Sequence, residues 1–332
     1  MNAINKSYAS CSEGNSKSVY RDICKNNPDI SLFSKDWWLD SVCVGGAWDA
    51  VVYSKDGRVV SALPFFTKSK GPFKFQVMPM LTQNFQIWIN YPEGMTESQK
   101  IDFELDAVQG VVGLLPKADY TSLNIGGKNA NLLPFYWADF DETRFYTYVV
   151  EGLSDLEEVL NRFDGAMRNK IRKAEKIISV RFIEDVSDFY IVNKKTFDRQ
   201  NIEMPYSLDF IMRHDKALAE NNARKIFAAV DNDGRVHSAL YLTWDKNSSY
   251  VHMVGEDPEL RSSGAGIKLI WEAIRYTREI LKLDCFDYEG SMMQSVESVR
   301  RNCAGQQQPY SRMFKCRSRV LRAGLLVKGM VR

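Results

Sequence analysis

The chain has 332 residues, a net charge of +2, 45% hydrophobic and 26% charged residues, an ordinary globular composition with length enough for two domains that each bury a core. Near-neutral charge calls for neither nucleic acid nor a membrane surface as partner, no apolar run approaches the ~20 residues of a membrane-spanning helix, and the polar N-terminus, with Cys11 and Cys24, lacks the apolar stretch of a secretory signal. Six cysteines without a C-x-x-C pair and only three histidines, His214, His237 and His252, point to free thiols in the cytoplasm and away from a disulfide frame, a zinc site or any other metal centre.

In chain order, the pattern predicts a hairpin over 50–66, further strands with aromatics over 75–89, a helix over 98–115 and strands over 121–125 and 145–150. The second half predicts helices over 187–199 and 208–221, a hairpin over 226–244, a strand over 250–254, a helix over 267–281, a strand over 285–288, a short helix over 296–303 and a strand over 310–314. Asp56-Gly57-Arg58-Val59-Val60-Ser61-Ala62-Leu63 matches Asp233-Gly234-Arg235-Val236-His237-Ser238-Ala239-Leu240 at seven of eight positions, roughly half a chain length downstream. Duplication explains the match and the similar order of elements; two independent Asp-Gly hairpins are the alternative. The expected fold class is α/β, with mixed, mostly antiparallel sheets flanked by helices in two tandem domains, 1–150 and 151–332.

Arg261-Ser262-Ser263-Gly264-Ala265-Gly266 lies between the strand Tyr250–Val254 and the helix that starts at Ile267. Amides at a helix N-terminus, with the helix dipole behind them, suit a phosphate or pyrophosphate, and glycine lets the backbone approach it. The spacing is neither the dinucleotide fingerprint nor a P-loop. A surface turn or helix cap is the plainer reading. The first half, at Leu81–Tyr91, has no such loop, so one such ligand per chain is expected. The aromatics Phe73, Phe75, Phe85 and Trp88 either stack on a sugar ring or form strand core.

Strand, R-x-x-G-x-G, helix resembles the acyl-CoA pyrophosphate loop of the GNAT (Gcn5-related N-acetyltransferase) superfamily. The runs Arg144–Val150, Leu153–Leu160, Met167–Lys176, Phe286-Asp287-Tyr288-Glu289-Gly290-Ser291 and Gln308-Pro309-Tyr310 resemble its FemAB-like branch of tandem GNAT proteins, which includes peptidoglycan-bridge aminoacyltransferases and acetyltransferases near polysaccharide genes. The resemblance implies direct transfer of an acyl group, most simply acetyl, from acetyl-CoA or another acyl-CoA to an amine or hydroxyl, without a metal. It places the diphosphate on Arg261, Ser262, Ser263, Gly264, Ala265 and Gly266. The pantetheine arm would lie on strand-edge groups of Met253, Val254 and Gly255, with a bulge at Gly255 leaving them unpaired.

For the general base, Glu289 is the first candidate, with Asp287 on the same strand face and His252 in the strand leading to the loop. Tyr288 and Tyr310 are candidates to protonate the leaving thiolate. The alternatives are strand-end charges in solvent and packed ring residues; His214 and His237 read as surface residues. Arg168 and Arg172 on a basic helix, with Arg301, are candidates to hold an anionic acceptor, or else belong to a solvated helix face. The resulting expectation is a cytoplasmic acyl-CoA-dependent N- or O-acyltransferase acting on a small or carbohydrate-linked acceptor. The alternatives are an aminoacyl-tRNA-dependent transferase on a cell-wall precursor, the one case in which nucleic acid is a partner, and a non-catalytic GNAT-pair binding module. The acceptor, the acyl chain and the oligomeric state are not legible in the sequence.

Overall fold

The computed structural model describes residues 15–127, 131–290 and 292–327; Cys11 and Ser291, used above, lie outside them. The chain forms two compact units, one of residues up to Arg144 together with those from Tyr310 onward, the other of Phe145–Pro309.

The first unit begins with helices α1 (Ser16–Asn26) and α2 (Asp36–Val42), followed by β1 (Ala47–Lys55) and β2 (Arg58–Lys70). Asp56 and Gly57, at φ 51° and 75°, make the two-residue turn between these strands. Then come β3 (Phe73–Val77), the short β4 (Phe85–Gln86) and β5 (Trp88–Ile89), α3 (Glu97–Leu114), β6 (Tyr120–Gly126) and α4 (Leu133–Trp137). Thr96 and Gln99 close a reciprocal capping box at the start of α3, satisfying donors that the helix itself leaves open. Antiparallel β1-β2-β3 continues into β6, which runs parallel to β3. Phe85 is fully buried in the core and Trp88 packs against it, so these two aromatics are framework.

The second unit contains β7 (Asp141–Glu151) from Phe145 onward, α5 (Leu156–Asn161), α6 (Gly165–Ala174), β8 (Ile178–Ile183), α7 (Val186–Arg199), α8 (Leu208–Glu220), β9 (Arg224–Asp231), β10 (Val236–Trp244), β11 (Ser249–Glu256), α9 (Ala265–Glu279), β12 (Cys285–Asp287) and α10 (Gln294–Asn302). Strands β8-β9-β10-β11 are antiparallel, β12 joins β11 in parallel, and β7 pairs antiparallel with β12. Ile267, Ile270, Trp271 and Ile274 recur at helical spacing and are buried with Leu240 and Phe286, which is why α9 lies on this sheet. The last described elements are β13 (Gln306–Cys316) and α11 (Arg319–Val327).

A single division after residue 150 is not how the chain divides. Ser311–Cys316 of β13 pair with Tyr120–Ile125 of β6, while Val149–Glu151 of β7 pair with β12. The first unit thus takes its closing strand from beyond the second unit in sequence, while the second unit is continuous. The two hairpins carrying the repeated octapeptide, β1-β2 and β9-β10, are each preceded by two helices and followed by a strand, a long helix and a further strand, with β4 and β5 as additional short strands in the first unit, and the matched pairs Ala62-Leu63 and Ala239-Leu240 are all fully buried. Among the described residues no helix is long and apolar enough to cross a membrane, and no cluster of His, Cys, Asp or Glu is arranged to hold a metal ion.

Candidate active site

Parallel pairing of β11 with β12 is confined to Ser249 with Phe286 and Tyr250 with Asp287. Beyond that point β12 ends and β11 runs on to Glu256, so the two strands part. At the fork the chain leaves β12 with Glu289 in left-handed backbone, φ 50°, a conformation a non-glycine residue holds only when its surroundings demand it. The Glu289 carboxylate accepts from His252 Nδ1 at 2.9 Å. His252 Nε2 lies 3.1 Å from His214 Nε2. A proton on His252 Nδ1 for the carboxylate leaves its Nε2 as acceptor, and His214 Nε2–H as donor. Burial, reinforced by the neighbouring His252, holds the His214 pKa well below the ordinary imidazole value, so that ring stays neutral.

His252 owes its position to a register shift. Tyr241 pairs with Met253 but Leu242 pairs with Val251, leaving His252 as the extra residue on β11. The bulge expected at Gly255 is therefore three residues earlier, and it re-aims a histidine. Gly255 pairs regularly with Ala239. Its lack of a side chain serves α7 instead, since a Cβ there would lie 2.5 Å from the Asn193 amide nitrogen. The edge of β11 is also already bonded: Asn193 Nδ2 donates to the Val254 carbonyl at 2.8 Å, and the Glu256 amide donates to Thr196 Oγ1 at 2.9 Å. Met253 is buried, its Sδ 3.3 Å from the Tyr206 hydroxyl.

Asp287 is buried, and Thr147 Oγ1 donates to its carboxylate. Burial pushes its pKa up to about 7; the Thr147 hydrogen bond opposes the shift and the Glu289 charge adds to it. An unfolded aspartate titrates near ~3.9. Between these values the folded chain holds a proton that the unfolded chain has released, so stability falls as pH rises through the window, by up to about 1.4 kcal/mol per pH unit. Asp287→Asn, which mimics the protonated form, is expected to flatten this slope in urea denaturation compared at pH 5 and pH 7.5; an unchanged slope would assign the shift elsewhere.

The Tyr288 hydroxyl is buried and donates to the Cys303 carbonyl at 2.7 Å, with burial raising its pKa. It is thus committed to framework rather than poised as an acid, and Tyr310 belongs to the N-terminal unit.

The strand, loop and helix form as expected. Arg261–Ser263 make one 3-10 turn, and Gly264 at φ 81° starts α9. The two glycines differ in role. A Cβ at Gly264 would lie 2.7 Å from the Lys170 carbonyl on α6, so this glycine is spent on helix packing. A Cβ at Gly266 would meet only Glu256 Oε1 at 3.3 Å and Ser238 Oγ at 3.7 Å. The Ala265 amide donates to Ser263 Oγ at 3.2 Å. Lys173 Nζ donates to the Ser262 carbonyl at 2.6 Å. Arg261 Nε donates to Glu256 Oε2 at 2.5 Å. Fit to a diphosphate is partial: Gly266 leaves room and Arg261 supplies charge, but Glu256 already holds that arginine and Ser263 caps one amide.

The three arginines expected at the acceptor do not come together. Arg168 Nη1 donates to the Asn161 and Phe163 carbonyls, closing the end of α5. Arg172 is exposed and reaches Asn169. Arg301 is exposed and paired with Glu297 one helical turn earlier. Its neighbour Arg300 is the informative one. Burial lowers its pKa, Glu289 and Asp287 oppose that shift, and its buried Nη1 has no hydrogen-bond partner among the described residues. Both arginines lie about one helical turn from Glu297, so spacing alone does not separate them. His214 and His237 are likewise buried, not surface residues. His214 shares the buried stripe Phe210-Ile211-His214-Leu218 of α8, and His237 lies 3.0 Å from Asp231.

A family model described as Acetyltransferase (GNAT) domain matches residues 161–293. No curated protein matches the chain in sequence. Among solved structures, FemX is similar with 14% identity, a TM-score of 0.65, and coverage of 89% of this chain and 95% of that one. A tandem GNAT protein from the clavulanic acid biosynthesis pathway is similar with 11% identity, TM-score 0.53 and coverage of 92% and 97%. The C-terminal domain (DUF2156) of a putative lysylphosphatidylglycerol synthetase from Agrobacterium fabrum gives 12%, 0.53, and 94% and 98%. At these identities the likeness is one of fold.

Proposed function

For a chain that carries a GNAT-type acetyltransferase domain over residues 161–293 and is an acyltransferase of that superfamily, we propose that Glu289 is the general base for attack of an amine or hydroxyl on an acyl-CoA thioester, without a metal. The observation that carries this is the Glu289–His252 pair at the fork of β11 and β12, the two strands that precede and follow α9. Glu289 takes the acceptor proton while His252 holds its carboxylate in place. The acceptor oxygen or nitrogen bonds to the acyl carbon, the C–S bond breaks, and the leaving thiolate takes up the proton that Glu289 accepted, which restores the carboxylate. Arg300, within electrostatic reach of both carboxylates, offers its open Nη1 to the carbonyl oxygen as negative charge develops there. Arg261 and the Gly266 amide take the diphosphate, which displaces Glu256 from Arg261. The acceptor is a small or carbohydrate-linked molecule, and the free thiols of Cys24, Cys43, Cys285, Cys303 and Cys316 support a cytoplasmic setting.

A second reading, transfer from an aminoacyl-tRNA ester, is favoured by two specific features. Glu256 already neutralises Arg261, and α7 already bonds the β11 edge. Thermal denaturation separates the two. Acetyl-CoA at a hundredfold excess over its Kd is expected to stabilise the fold by about 2.7 kcal/mol. Gly266→Val is expected to abolish that shift while leaving the unliganded Tm in place, because only side-chain ends stand near its Cβ. A shift with bulk tRNA and none with CoA would favour the second reading.

A further inference from the structure

The overall charge of +2 conceals a strong local asymmetry: from Tyr310 to Arg332 the sequence holds seven cations and no acid. Within the N-terminal unit this tract is fastened to α4. Lys315 Nζ donates to the Ala138 carbonyl at 2.6 Å, and Lys315 and Arg317 stand 5.6 Å and 5.9 Å from the centre of the Phe140 ring. That ring packs edge-on against Phe135 at 5.3 Å. Helix α4 buries Pro134 and Phe135 and turns the rest outward, with Tyr136 and Trp137 exposed at 74% and 55%. Ser318 caps α11, on which Val320 is 73% exposed. Arg319 and Arg322 are exposed there, with no acidic partner among the described residues.

We propose that this face docks on an anionic phospholipid surface. Tyrosine and tryptophan present an apolar body with a polar tip, the shape that settles at headgroup level. Flanking arginines are drawn to anionic headgroups, each strengthening binding about fivefold. Exposed aliphatic and aromatic groups beside the cations fit the headgroup–acyl boundary, which a nucleic acid does not offer. The surface is independent of the transfer chemistry and needs no spanning segment.

The test is co-sedimentation of the full chain with vesicles of equal phosphatidylglycerol and phosphatidylcholine, against phosphatidylcholine alone. Retention on the anionic vesicles is expected. The double variant Arg319→Glu/Arg322→Glu should weaken it at least about 25-fold, and Tyr136→Ala/Trp137→Ala should weaken it severalfold. Both double variants should keep the parent Tm, since the altered side chains are exposed. Equal retention by neutral vesicles, indifference to both variants, or complete displacement from the vesicles by bulk tRNA would each overturn the proposal.

Discussion

Glu289→Gln is expected to lower kcat by about 10²- to 10⁴-fold with little change in KM for the acyl donor. The substitution keeps the size and hydrogen-bonding reach of the side chain, so His252 Nδ1–H can still donate to the amide oxygen in the place it now donates to Glu289 Oε1 at 2.9 Å. What is lost is the ability to accept a proton from the attacking amine or hydroxyl. The donor contacts proposed at Arg261 and Gly266 are untouched, which is why KM should hold. Asp287→Asn is the internal comparison. Asp287 is buried and already bonded by Thr147 and by the Glu289 amide, so its loss should alter stability and pH dependence more than turnover. A Glu289→Gln enzyme with parental kcat, measured in the chemical step by single turnover, would remove Glu289 from the proposed role.

The second large effect is structural. Gly255→Ala is expected to cost about 3 kcal/mol. A new Cβ would stand 2.5 Å from the Asn193 nitrogen and 2.7 Å from Asn193 Cα and the Val192 carbonyl carbon. All three are backbone atoms in the middle of α7, so no side-chain rotation relieves the clash and the helix must move. Moving it breaks a small network: Asn193 to the Val254 carbonyl, Tyr206 to Asn193, and the Glu256 amide to Thr196. Urea denaturation of the pair Gly255→Ala and Gly266→Ala measures the contrast, the second variant being expected within about 0.5 kcal/mol of parent. Equal costs for the two would show that α7 yields more readily than its packing implies.

The elements carrying long periodic patterns were legible in the sequence. α3, α7, α8, α9 and both hairpins fall within a few residues of expectation, because apolar spacing and caps dictate them locally. The elements not predicted, α1, α2, α4, α5, β8 and α11, have weak or short patterns whose burial depends on distant partners. At the site, sequence brought Glu289, His252, Asp287 and the loop to one end of one sheet. It did not reveal that His214 meets His252, because that contact joins α8 to a bulge in β11, and a bulge carries no marker in the residues themselves. Gly264 and Gly266 read alike as a loop pair, yet only their neighbours, the Lys170 carbonyl for one and Glu256 for the other, separate a packing glycine from an open one. The choice of Arg301 rests on the family's pattern of a basic residue before a glycine, whereas it is Arg300 that is the more buried of the two.

The strand that completes the first unit is supplied by residues 310–316, after the whole second unit has been made. A ribosome that has delivered residues 1–309 has therefore released every partner of β12, while the Tyr120–Gly126 edge still waits with bare amides and carbonyls. Maturation of this protein runs from the middle outward: the portion bearing Glu289 and His252 can reach its final pairing first, and the earliest-synthesised portion is sealed last. During that interval the open edge is the point at which a chaperone, or a second nascent copy, can gain a hold.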